Sequence, residues 1–302
     1  MSATLPGFQD PDQLFARNYN RASFTFAHDL AGHPLFELPS LIALAQRLPK
    51  EAESYWSNGK VAVNNRWDVG TDGRASLRDT IANIADNNSI VILKHTEQDP
   101  VYAPVLQNFL AQIVRASGAR MRDDVTIGEA LILLSSPNRI TPYHFDSEIN
   151  WLVQVTGHKT FYVFPHDDRS LVSNDELERY FVADQSSAVY KHERQADAIA
   201  YDLPAGRGVH IPVTAPHWVQ NHDGVSVAIS FNFELRSTDR LAKIHRLNHR
   251  LRRFGIRPTP PGVSAWRDSL KAMTAMQLAS LRALTKPGSR TPAYPTWTPP
   301  RS

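Results

Sequence analysis

The stretch TPYHFDSEIN, residues 141–150, sets His144 and Asp146 two positions apart in a segment that reads as the end of a β-strand. Side chains at i and i+2 of a strand point to the same face, so the imidazole and the carboxylate can converge on one point. One more histidine would complete a two-histidine, one-carboxylate facial triad, the ligand set of a non-haem Fe(II) that keeps coordination positions open. A lone His-x-Asp is a common accident, so the rest of the chain has to supply the third ligand and a fold that presents it.

Around this stretch the sequence reads as closely spaced strands. Residues 127–134 are apolar, and SSPNRITP at 135–142 reads as turn and loop. Residues 150–155 and 159–164 read as two strands joined by a tight hairpin at Thr156-Gly157-His158, with glycine free to take a positive φ. A polar helical insert is expected over 173–183. Strands resume at 198–203 and 207–211, and 225–235 (VSVAISFNFEL) alternates well enough to face one side inward. Short strands with turn signals between them predict an all-β core with flanking helices, a jelly-roll sandwich or barrel.

The third ligand is then sought on a distant strand. His217, in IPVTAPHWVQN, follows a Pro-bounded turn and starts a strand; His210 and His222 compete with it. Tyr143, Trp151, Tyr162, Trp218 and Glu234 are further pocket or rim candidates, each of which can equally be barrel packing.

The first ninety residues mix helical and irregular patterns. Leu41, Ile42, Leu44, Ala45 and Leu48 make a helical stripe that ends before Pro49; helices are expected over 76–87 and 101–116, and a buried strand over 89–94. Residues 237–285 have helical period, interrupted at Pro258 to Pro261 and followed by a Pro-rich tail. The expected division is a mixed N-terminal region over 1–95, a core over 96–236, C-terminal helices over 237–285 and a tail over 286–302.

Composition narrows the chemistry. The chain has no cysteine, which excludes disulfides and thiolate ligands and leaves His, Asp and Glu to hold any metal. Thirteen Phe, nine Tyr and six Trp in 302 residues suffice for a full core. No basic n-region with an apolar run opens the sequence and no segment reaches membrane-spanning length, so a cytoplasmic location is expected. The net charge of +3 is concentrated in a basic run from Arg236 to Arg257. Leu241, Ile244, Leu247, Leu251 and Phe254 recur through that run at helical spacing, which favours a solvated helix face or an oligomer contact over nucleic-acid binding.

TPYHFDSEIN, GHKTFYVFP (157–165), PHWVQN (216–221) and SFNFE (230–234) together resemble the core of the JmjC and cupin-like 2-oxoglutarate oxygenases. The pattern is like that of the asparaginyl hydroxylase that inhibits hypoxia-inducible factor and its bacterial relatives, and it covers residues 125–236. The resemblance implies a double-stranded β-helix with Fe(II) held by His144, Asp146 and His217. It implies that Thr141 and Lys159 receive the distal carboxylate of 2-oxoglutarate and that Asn150 and Asn232 contact the cosubstrate near the metal. With dioxygen, such a site hydroxylates a protein side chain or small molecule, or demethylates an N-methyl group, releasing succinate and CO2. A homodimer through the C-terminal helices is a further implication. The alternative from another class is a cupin without oxygenase activity, an isomerase or a small-molecule sensor; those barrels commonly carry more histidines and a glutamate, and have no need of Lys159.

Overall fold

The computed structural model describes residues 5–49, 55–57, 59–66, 76–285 and 296–299. The strands in chain order are β1 (Phe8–Gln9), β2 (Phe24–His28), β3 (Tyr55–Ser57), β4 (Ile90–Leu93), β5 (Val125–Ser135) and β6 (Ile140–His144). There follow β7 (Ile149–Thr156), β8 (His158–Val163), β9 (Ile199–Pro204), β10 (Arg207–Ile211), β11 (His217–Asn221) and β12 (Ser226–Leu235). The helices are α1 (Leu14–Asn18), α2 (Leu38–Arg47), α3 (Leu77–Ala82), α4 (Ala103–Ser117), α5 (Ala119–Asp124), α6 (Asn174–Val182), α7 (Arg236–Arg253) and α8 (Ala265–Thr285).

These strands form two antiparallel sheets. The larger has the order β1-β2-β10-β7-β12-β5-β4-β3, the smaller β6-β11-β8-β9. From β5 to β12 the chain passes repeatedly between the sheets, which is the winding of a jelly roll. The jelly-roll expectation is met, and N-terminal strands lengthen the larger sheet at both ends: β2 pairs with β10, and β4 with β5. Strand β2 stands where helical and irregular structure is expected, and the alternation of Phe24, Phe26 and His28 inward is its signal in the sequence.

One local expectation is corrected. The segments either side of Gly157 do not form a hairpin, because β7 pairs with β10 and β12 while β8 pairs with β9 and β11. Gly157, at φ 79°, instead turns the chain from one sheet into the other, at a point where a Cβ would collide with the Val225 carbonyl. The loop expected over 135–142 is shorter, since β6 already starts at Ile140. It carries Pro142 in an edge strand, where a missing N–H costs no ladder bond. The helix expected over 76–87 stops at Ala82: Asn83 and Asn87 turn their amides onto the Asp79 and Thr80 carbonyls, and Asn88 adopts φ 50°.

Strand β7 explains how the barrel is filled. Ile149, Trp151, Val153 and Val155 face the helical layer, joining Phe15, Phe109 and Phe231, while Leu152 faces Phe161, Val219 and Ala228 between the sheets. Asn150 and Gln154 share the inner face with Leu152, so polar groups punctuate an otherwise apolar interior.

Helix α6 starts with a capping box between Ser173 and Glu176. It packs on α7, where two of the basic residues expected in solvent are spent on contacts: Arg246 donates to the Phe181 carbonyl, and Arg252 pairs with the fully buried Glu178 at 2.7 Å. Phe254 lies beyond the end of α7 and is 83% exposed, so it does not continue the apolar stripe. Of the expected tail, only 296–299 falls among the described residues; there Trp297 pairs with Gly128 and packs against Phe233. Among the described residues no helix is long and apolar enough to cross a membrane.

Candidate metal centre

The last residue of β6, His144, lies directly opposite the first residue of β11, His217. Antiparallel pairing thus does what sequence separation conceals, setting the two imidazoles with centroids 4.2 Å apart. Asp146 sits in the turn after β6, held by its carbonyl accepting from the Thr214 N–H. Its Oδ2 is 4.0 Å from His144 Nε2 and 3.8 Å from His217 Nε2.

Both imidazoles are oriented from behind. His144 Nδ1–H donates to the Pro142 carbonyl at 2.7 Å and His217 Nδ1–H to the Ala215 carbonyl at 2.9 Å. A carbonyl only accepts, so each Nδ1 carries a proton and Nε2, on the side of Asp146, is the nitrogen left to bind a metal. Burial, with His144 beside it, pushes His217 down to about 4, which keeps the ring neutral at neutral pH. Two imidazoles that offer Nε2 and a carboxylate, with no thiolate available, fit a divalent first-row metal that retains open positions.

The triad opens on a cavity of about 240 Å3, and Thr141, Asn150, Lys159 and Asn232 line the same space. Asn150 and Asn232 are opposed on β7 and β12; Asn150 Nδ2 donates to Asn232 Oδ1 at 2.7 Å and to Ser230 Oγ at 2.5 Å. Asn150 Oδ1 is buried without a partner among the described residues. Lys159 reaches the cavity from β8, which is separated from β6 by β11 and so does not lie beside the His144 strand. It is 3% exposed, and burial alone lowers its ammonium to about 7. No carboxylate pairs with it among the described residues.

Sequence reasoning missed several cavity residues. Glu129, Leu131, Leu133 and Ser135 line it from β5, with Ile90, Ile92 and Lys94 on β4 and its end. Their period-two spacing was the available signal. Ser230, two before Asn232, was legible in the same way. Tyr180 of α6 was not, because it arrives from an insert; its hydroxyl accepts from the Ser147 N–H. Burial, with Asp146 nearby, pushes Glu148 up to about 7 at the rim.

The other candidates lie elsewhere. His210 is fully buried among aromatic rings, stacked 4.3 Å from Trp151, with Nδ1 on the Asn150 carbonyl. His222 follows the far end of β11. Trp151 is core; Tyr143 packs on Phe164; Tyr162 and Trp218 stack on each other at 4.1 Å. Glu234 borders a neighbouring groove that also includes Glu148, Phe181 and Arg246.

Comparison with known proteins adds two findings. Residues 58–239 match the family described as the cupin-like domain. The crystal structure of the ribosomal oxygenase YcfD from Escherichia coli is similar at 14% identity, covering 94% of this chain and 69% of that one, with a TM-score of 0.52. A structure of YcfD in complex with cobalt and 2-oxoglutarate is similar at 15% identity, covering 93% and 69%, with a TM-score of 0.50. At such identity the likeness is one of fold. A comparison with curated protein sequences found no match.

Proposed function

Because this chain belongs to the cupin-like domain family, we propose that its cavity is that of an Fe(II)- and 2-oxoglutarate-dependent oxygenase, with the iron on His144, Asp146 and His217. The observation that carries the reading is Lys159. A buried ammonium without a carboxylate beside it is costly, and the cost is offset when an anion enters the cavity and pairs with it. A metal-dependent isomerase or sensor would leave that lysine without a purpose.

Each residue then has a definite task. Lys159 and the Thr141 hydroxyl receive the distal carboxylate of 2-oxoglutarate. Asn150, whose Oδ1 has no partner, and Asn232 orient the cosubstrate near the metal without adding charge. The backbone carbonyls behind His144 and His217 hold both rings in the ligating tautomer, and neither histidine nor Asp146 acts as a general base. The iron, 2-oxoglutarate and dioxygen, when bound, supply oxidation of the cosubstrate to succinate and CO2 with insertion of oxygen into a C–H bond. The apolar wall of Leu131, Leu133, Leu152 and Phe161 keeps bulk water from that chemistry.

We take the target to be a protein side chain. The fold is shared with an oxygenase described as ribosomal, and the motifs resemble an asparaginyl hydroxylase. The C-terminal helices serve as a homodimer face in the same reading. Trp266, Leu270 and Met273 recur along α8 at spacings of four and three and are each more than half exposed. Light scattering on the full chain tests this, and a monomer would refute it.

The reading is tested by measuring succinate from 2-oxoglutarate with added Fe(II), alone and with candidate peptides, for wild type and Asp146→Ala. Succinate that depends on Asp146 supports it; cosubstrate left intact by the iron-loaded wild type under all these conditions contradicts it.

A further inference from the structure

A second cluster of metal-ligating groups lies on the opposite face of the smaller sheet. His158 opens β8, Asp202 belongs to β9 and His222 follows β11, so three adjacent strands contribute one side chain each. The register explains the convergence. Thr160 is paired with both Asp202 and Gln220, and His158 and His222 stand two residues from Thr160 and Gln220 on that same outward face. Lys159, Leu203 and Asn221 are the register partners pointing inward. His217 and His222 are five residues apart along β11, which puts this cluster about 16 Å from the triad and across the sheet from the cavity.

We propose that His158, Asp202 and His222 form a second, peripheral site for a transition-metal ion of the zinc type, independent of the oxygenase reading. One ligand atom from each residue lies within 4.8 Å of the others. His158 Nε2 is 2.5 Å from Asp202 Oδ1, and the two imidazole centroids are 3.9 Å apart. The frame is fixed by backbone bonds: the His222 N–H donates to the His158 carbonyl, and its own carbonyl accepts from the Asn138 N–H. The Thr160 hydroxyl, 2.9 Å from His222 Nε2, holds that ring from behind, as an outer partner does for a ligating histidine.

Two imidazoles and one carboxylate favour Zn2+, Co2+, Ni2+ or Cu2+ over Mg2+ and Ca2+, which seek more oxygen ligands. Partial exposure of His158 and Asp202 leaves room for water to complete the shell. A bound ion ties the ends of β8, β9 and β11, the wall that also carries Lys159 and His217. Occupancy of the site therefore stiffens the cavity from outside.

Cobalt is the probe, followed by calorimetry and visible absorption on the full-length chain. Wild type is expected to bind two equivalents, the His144→Ala/Asp146→Ala variant one, and the same variant with His222→Ala none. Asp202→Asn in the wild-type background, a nearly isosteric change that removes the charge without emptying the position, is expected to bind one and to lose the outer equivalent. Zn2+ should displace the outer cobalt and Mg2+ should not. In the triad variant, Zn2+ should raise the melting temperature, and His222→Ala should abolish that rise. The proposal is overturned if the triad variant binds no cobalt, or if the second equivalent survives both Asp202→Asn and His222→Ala.

Discussion

His144 and His217 are cross-strand partners in the smaller sheet, opposed in the β6–β11 ladder although 73 residues apart in sequence. Backbone pairing thus fixes two of the proposed ligands, and Asp146 stands beside them from the following turn. Removing Asp146 should leave the ladder intact and the metal unheld. Asp146→Ala is expected to fold with unchanged far-ultraviolet circular dichroism and to lose more than the roughly 10–100-fold in metal affinity that outer-partner mutations cost. Equal metal content in wild type and variant after dialysis would contradict the assignment.

Burial of Lys159 imposes a stability cost that the binding role proposed for it would explain. Its pKa in the folded protein is about 7 against an ordinary 10.5, so unfolding takes up a proton between those values. The penalty is fully present below about pH 7 and is lost as pH rises toward 10.5. Lys159→Met should therefore stabilise the cosubstrate-free protein by about 1–4 kcal/mol at pH 7 or below, with the gain vanishing at high pH, while abolishing 2-oxoglutarate binding. Thermal melts across pH read this out, and a variant less stable than wild type at low pH would refute it.

With Lys159 in the proposed binding role, the same titration shapes cosubstrate binding. A carboxylate beside Lys159 raises the ammonium pKa, so above about 7 binding must take up a proton. Affinity for 2-oxoglutarate should be flat below that pH and fall by up to about tenfold per unit above it, until the bound-state pKa is reached. Calorimetry in buffers of different ionisation enthalpy measures the proton uptake. A pH-independent affinity with no proton uptake would contradict the role given to Lys159.

Gly157 lets the chain turn between sheets at φ 79°, where a Cβ would collide with the Val225 carbonyl and approach Ser226 Cα to 3.1 Å. Gly157→Ala should cost about 2 kcal/mol or more and lower the melting temperature by several degrees. Because this corner leads straight into Lys159, weaker 2-oxoglutarate binding should accompany the loss. An unchanged melting temperature would show that the corner relaxes.

Much of the core was legible because period-two patterns and turn residues report local geometry. The strand at 225–235 and the helix at 173–183 were read close to their observed bounds, Ser226–Leu235 and Asn174–Val182. Pairing partners were less accessible. Thr156-Gly157-His158 has the chemistry of a hairpin, and only the competition of β12 and β10 for β7 makes it a corner. His217 stood apart from His210 and His222 by its place before a strand, yet what separates them physically is facing: His210 follows Trp151 into the helical core, and His222 points to the outer side of the sheet. Lys94 and Glu129 share a period-two face with apolar neighbours and belong to no motif, so the spacing groups them but only the closed barrel marks that face as cavity lining.

One cavity is proposed to hold both a metal, on His144, Asp146 and His217, and a dicarboxylate, on Lys159. Anaerobic calorimetry of 2-oxoglutarate into the Fe(II)-loaded full chain tests it most directly. Wild type is expected to bind one saturable equivalent, Lys159→Met none with metal still bound, and Asp146→Ala none with metal lost. Iron-loaded wild type that binds no 2-oxoglutarate, or Lys159→Met that binds it as tightly as wild type, would contradict it.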